Sequence, residues 1–124
     1  MKKLASIRGA VCVENARESI EKWVCTMCSQ IINQNKLVSE DIVSIQFSLT
    51  DDVTAFNPAT ALRLGNIGCD ITQTSLFCCQ EPKIEGSMKS CIRTMITAYI
   101  DSSLEKKNIY LNGAEKLRSD YSTM

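Results

Sequence analysis

Two arginines stand where a strand should carry apolar or small side chains. Arg8 breaks a run of β-branched and small residues, Ile7-Arg8-Gly9-Ala10-Val11, and Arg93 lies in Cys91-Ile92-Arg93-Thr94-Met95. A guanidinium placed on a strand needs an anionic partner, because leaving it unpaired and buried costs several kcal/mol. Arginine also meets carboxylates through paired N–H groups in a fixed plane, so two such residues and a carboxylate suit a small dianionic ligand. The residues leave two readings open: each arginine is paired internally, with Glu81 serving Arg93, or the set faces a bound acid. The chain has no histidine. Histidine chemistry as general base, nucleophile activator or metal ligand is therefore excluded. Any chemistry rests on Arg, Glu, Asp, Tyr, Cys, Lys or backbone groups.

The seven cysteines are odd in number and have no disulfide-like spacing, which reads as reduced thiols in a cytoplasmic protein. Cys25-Thr26-Met27-Cys28 matches C-x-x-C, but it lies inside an apolar helical pattern with no second pair, so packing is expected there and a metal is not. Cys78-Cys79 are adjacent on a strand and so point to opposite faces. Gly65-Asn66-Ile67-Gly68 lacks the phosphate-loop and dinucleotide patterns and reads as a turn. Lys plus Arg and Asp plus Glu both number 14, so the net charge is zero and no basic face for nucleic acid or an anionic membrane is expected. Arg8 interrupts the N-terminal apolar run, and no stretch nears the roughly 18 apolar residues of a membrane span.

The elements that must hold these residues follow from periodicity. Residues 4–13 read as a first strand. Asn15, with Glu18 three places on, offers a capped helix start, and Ile20, Trp23, Val24, Met27, Ile31 and Ile32 recur at helical spacing over residues 16–34. Val43, Ile45, Phe47 and Leu49 alternate with polar residues, marking a strand with one buried face. Asn57-Pro58 starts a short helix that Gly65 ends. Further strands are predicted over residues 71–79 and 92–100, with a helical turn near residues 87–90 between them. A broken last strand covers residues 109–111 and 114–117 around Asn112-Gly113. One domain over residues 1–118 with a polar, mobile tail at 119–124 is expected. The order β-α-β-α-β-β-β implies an α+β fold, a mixed β-sheet with helices packed on one face. The other face then needs covering, and copies of the same chain would do it.

Five short blocks resemble the monofunctional trimeric chorismate mutases, and not the all-helical class of that enzyme. They are Ile7 to Glu14 (IRGAVCVE), Phe56-Asn57-Pro58-Ala59-Thr60-Ala61-Leu62-Arg63, Cys78-Cys79-Gln80-Glu81, Lys89-Ser90-Cys91-Ile92-Arg93, and Tyr110-Leu111 with Leu117-Arg118. The resemblance implies a trimeric pseudo-α/β barrel with active sites at subunit interfaces. It also implies a cofactor-free rearrangement of chorismate to prephenate, on the way to aromatic amino acids. That reaction is intramolecular, with no proton transfer and no covalent intermediate, so it suits a chain without histidine. By the same resemblance, Arg93 donates to the breaking ether oxygen, Glu81 and Cys78 hold the ring hydroxyl, and Arg8 and Tyr110 bind the side-chain carboxylate. Arg63, Phe56, Asn57, Ala59 and Thr60 would reach in from the neighbouring subunit, and Leu76, Phe77 and Leu117 would line the cavity. The family often carries Phe where Asn57 stands and Lys where Thr60 stands, so the departures fall at the pocket entrance. The alternatives are a non-catalytic metabolite-binding trimer and an enamine or imine deaminase-like trimeric enzyme. The second leaves Arg8 and Glu81 unexplained.

Overall fold

A computed structural model describes residues 1–117 of the chain. Its elements are β1 (Lys2–Cys12), α1 (Arg17–Gln34), a 3-10 turn (Ser39–Asp41), β2 (Ile42–Leu49), α2 (Pro58–Leu64), β3 (Ser75–Gln80), β4 (Cys91–Asp101) and β5 (Ile109–Leu111). The sheet runs β3-β2-β4-β1-β5. The central pairs β2·β4 and β4·β1 are antiparallel, while β3 and β5 lie parallel to their neighbours at the edges. The expected α+β architecture, a mixed sheet with helices on one face, is the architecture found. Among the described residues no helix is long and apolar enough to cross a membrane.

Helix α1 forms because Ile20, Val24, Met27, Cys28, Ile31 and Ile32 fall on one stripe, and all are buried. The stripe lies on the odd-numbered face of β1 at Gly9, where a Cβ would sit 2.8 Å from Ile31 Cδ1 and 3.0 Å from Met27 Sδ. Glycine is required there because helix and strand come too close for a side chain. Helix α2 is capped as its sequence predicts. Asn57 Oδ1 accepts from the Ala59 and Thr60 N–H groups, Pro58 opens the first turn, and Gly65 ends it. The buried layer between helices and sheet includes Ile7, Val11, Ile45, Phe47, Ile92 and Ile96.

Four expectations are corrected. Asn15 does not cap α1; Ala16 holds the cap position without a side-chain bond. The Asn15 amide instead accepts from Thr54 N and Ala55 N, both at 2.8 Å, and donates to Thr54 Oγ1 at 2.9 Å. One side chain thus satisfies two loop donors, a demand that local sequence does not reveal. Strand β3 begins at Ser75 because Asp70 Oδ1 accepts from Thr72 N and Oγ1, folding residues 70–74 into a turn despite their β-branched composition. Residues 87–90 form no helical turn, and Ser90 adopts the left-handed φ of 52°. Residues 114–117 are not strand: the chain reverses at Asn112 and Gly113, both left-handed, and residues 115–117 are helical. Asn112 Nδ2 donates to the carbonyl of Cys12, where β1 ends, so no strand edge remains to pair with. The tail expected at 119–124 lies outside the described residues.

Candidate active site

Residues paired across neighbouring strands share a face, so register alone assembles the site. One row crosses the whole sheet as Cys79, Ser48, Arg93, Ala10 and Tyr110. The adjacent row on the same face is Phe77, Gln46, Met95 and Arg8. Both rows occupy the face turned away from α1 and line a cleft of about 680 Å³, together with Leu117. That volume suits a small organic ligand.

Arg93, the third residue of β4, projects into this cleft. Its Nε lies 3.1 Å from Glu81 Oε2, although the N–H does not point along that line and makes no hydrogen bond among the described residues. Ser48 Oγ donates to the same carboxylate oxygen at 2.6 Å. Glu81 follows directly on β3, its N–H bound to the Leu49 carbonyl at 2.8 Å, and it sits where the cleft meets a second hollow under residues 81–89. The Arg93 side chain is 38% exposed and that of Glu81 20%. An ion pair open to this degree contributes about 0–1 kcal/mol to stability. The pair is therefore poorly explained as a folding device, and it leaves a cationic donor in the cleft with a carboxylate beside it at the rim.

The start of β4 is fixed from outside. Asp52 accepts from Thr50 Oγ1 at 2.5 Å and from both N–H and Oγ of Ser90, while Thr50 Oγ1 accepts from Cys91 N. These bonds hold Ser90 in its left-handed conformation, three residues before Arg93. The Thr50 hydroxyl, and after it the Ser90 groups, hold the Asp52 carboxyl below its ordinary value. A carboxyl lowered in the folded state contributes stability above its unfolded value, and that contribution disappears as pH falls through the folded value. Asp52→Asn is accordingly expected to be less stable than the parent at neutral pH, with the gap closing below about pH 4. Urea denaturation across that range checks it, and a gap independent of pH would refute it.

Of the residues singled out from sequence, the cleft brings together Arg8, Arg93, Phe77, Tyr110 and Leu117, with Glu81 at its rim. It does not include Leu76 or Cys78. Leu76 pairs with Ile45 and Cys78 with Phe47, and both pack on the core beneath the helices. Their side chains point away from the cleft of this chain, and Cys79 lines it instead. The residues around α2 also stand apart from this cleft. Arg17 covers the Phe56 ring at 4.3 Å, Asn57 caps α2, Ala59 is buried, Thr60 is half-buried and Arg63 is exposed. Ser48, Gln46, Cys79 and Met95 line the cleft without having been singled out. The alternation in β2 does place Gln46 and Ser48 on one face, and that was the available signal.

The cysteines of the C-x-x-C are packing residues, with Cys28 fully buried in α1 and Cys25 Sγ 3.7 Å from the Ala61 carbonyl. Burial raises both thiols. Cys91 is pushed up to about 12, chiefly by burial, so it is a neutral thiol beside Arg93.

The family model for type I chorismate mutase matches residues 4–121. The chain belongs to the type I chorismate mutase family. It is 33% identical to the chorismate mutase AroH of Bacillus subtilis, over 96% of this chain and 93% of that one. Its identity to the chorismate mutase AroH of Thermus thermophilus is 29%, over 92% and 93%. The solved structure of a chorismate mutase from Clostridium thermocellum is similar at a TM-score of 0.78 and 34% identity, covering 90% of this chain and 98% of that one. This membership agrees with the family resemblance carried by the five blocks.

Proposed function

We propose that this chain is a chorismate mutase that rearranges chorismate to prephenate in the cleft between Arg8, Arg93, Glu81 and Tyr110. The observation that carries the reading is the row pairing Arg93 with Ser48, which brings a guanidinium and the Glu81 carboxylate together at a cleft with no histidine. Breaking the ether bond places negative charge on its oxygen and positive charge on the ring. Arg93 is placed to donate to the oxygen as charge develops, and Glu81 to hold the ring hydroxyl and face the cation. Both groups are positioned before the substrate arrives, so little reorganisation is needed at the transition state. Arg8 and Tyr110, from adjacent strands, supply a cation and a hydroxyl for a carboxylate. No cofactor enters this scheme.

The working form in this reading is a homotrimer with sites between subunits. Two features support it. The sheet face opposite the helices leaves Leu4, Phe77, Met95 and Tyr99 exposed by 37–63%. An apolar face of that kind suits contact with other copies. Arg63 and its neighbours on α2 also lie away from their own cleft, where they can serve another subunit's. Loss of chorismate absorbance with the purified protein tests the function. Acceleration over buffer is expected, and a folded oligomer giving none would overturn the reading.

A further inference from the structure

We infer that Ser48 is a positioning residue of the site, holding the Glu81 carboxylate in place against Arg93. The inference rests on the chorismate mutase reading and adds a residue to it. Ser48 is the direct cross-strand partner of Arg93 on β4 and of Cys79 on β3, two places before Glu81. Its Oγ donates to Glu81 Oε2 at 2.6 Å, a short bond typical of a hydroxyl meeting a charged carboxylate. The same oxygen is the one near Arg93 Nε, so Oε2 is held from two sides. Among the described residues Oε1 takes no hydrogen bond, which leaves it for a ligand hydroxyl. The arrangement needs Ser48 because Arg93 Nε approaches Glu81 without aligning its N–H. Electrostatic attraction sets a distance but not a direction, whereas the hydroxyl bond fixes the carboxylate's rotation. Glu81 is the first residue past β3, and its N–H is still bound to the Leu49 carbonyl, so its backbone is held while its carboxylate depends on its own bonds.

A double-mutant cycle tests this, with Ser48→Ala, Ser48→Thr, Glu81→Ala and the pair Ser48→Ala with Glu81→Ala. Loss of a hydrogen bond to a charged group predicts that Ser48→Ala lowers kcat/KM about tenfold, while Ser48→Thr, which keeps the hydroxyl, stays within about threefold of the parent. In the Glu81→Ala background the serine change is expected to cost less than about twofold, since it acts through Glu81. Equal losses in both backgrounds, or no loss in the parent, would overturn the positioning role. Crystal structures of the parent and Ser48→Ala judge the inference even without turnover. The Glu81 carboxylate is expected to leave Arg93 in the variant, and one that keeps its place refutes the inference. A parent protein with no mutase activity would refute the function instead.

Discussion

Arg93→Ala is expected to lower kcat/KM by roughly 10²–10³ while the chain still folds and assembles. In the proposed reaction the size follows from removing the guanidinium that stands beside Glu81 and would meet the developing oxyanion. The survival of the fold follows from where the side chain lies. Arg93 is held in the sheet by backbone pairing to Ala10 and Ser48, and its side chain is 38% exposed on the cleft face rather than in the core. Removing it leaves Glu81 with the Ser48 hydroxyl as partner, so no carboxylate is stranded. Steady-state rates on chorismate, together with circular dichroism and the mass in solution compared with the parent, check both halves. A folded variant with near-normal turnover would remove Arg93 from the mechanism. Arg93→Lys is a sharper control, because an ammonium keeps the charge without the planar donor fork.

Phe47→Ala is expected to cost about 3–5 kcal/mol of stability, the range for truncating a buried aromatic. Phe47 is 1% exposed and stands on the helix face of β2, between Thr94 on β4 and Cys78 on β3. Its cross-strand neighbours belong to two other strands, and it is part of the buried layer shared with the helices, so the void cannot close by one local shift. Against a typical domain stability of about 5–15 kcal/mol, the loss is large enough to lower the urea midpoint substantially. A loss under about 1 kcal/mol would mean that the layer between sheet and helices refills the site. The two substitutions separate the faces of one sheet. Arg93→Ala is expected to remove function with the fold kept, and Phe47→Ala to remove stability with Arg8, Ser48, Glu81 and Arg93 kept.

Much of the fold was legible because its signals are periodic. The stripe from Ile20 to Ile32, the alternation over residues 43–49 and the Asn57-Pro58 start each report a local geometry that the observed elements share. Two of the misread places are ones where a side chain serves a distant segment. Asn15 offers the same amide to its own helix and to the loop at Thr54, and the loop takes it. Residues 114–117 have strand composition, but β1 ends at Cys12, so they have no edge to join.

By itself the sequence determined the element order, the absence of histidine chemistry, and the placing of Arg8 and Arg93 on strands. It also determined that Cys78 and Cys79 face opposite ways, because alternation is a property of any strand. Which of them meets the cleft was decided only in three dimensions. Alternation has no memory of which side is covered, and that choice came when α1 seated on β1 at Gly9 and claimed the face of Ile7, Val11, Phe47 and Cys78. Register then carried the choice across the sheet, leaving Cys79, Ser48, Arg93 and Tyr110 together on the open side. Ser48 meets Arg93 across strands 45 residues apart in sequence, and pairing rather than proximity along the chain makes them neighbours.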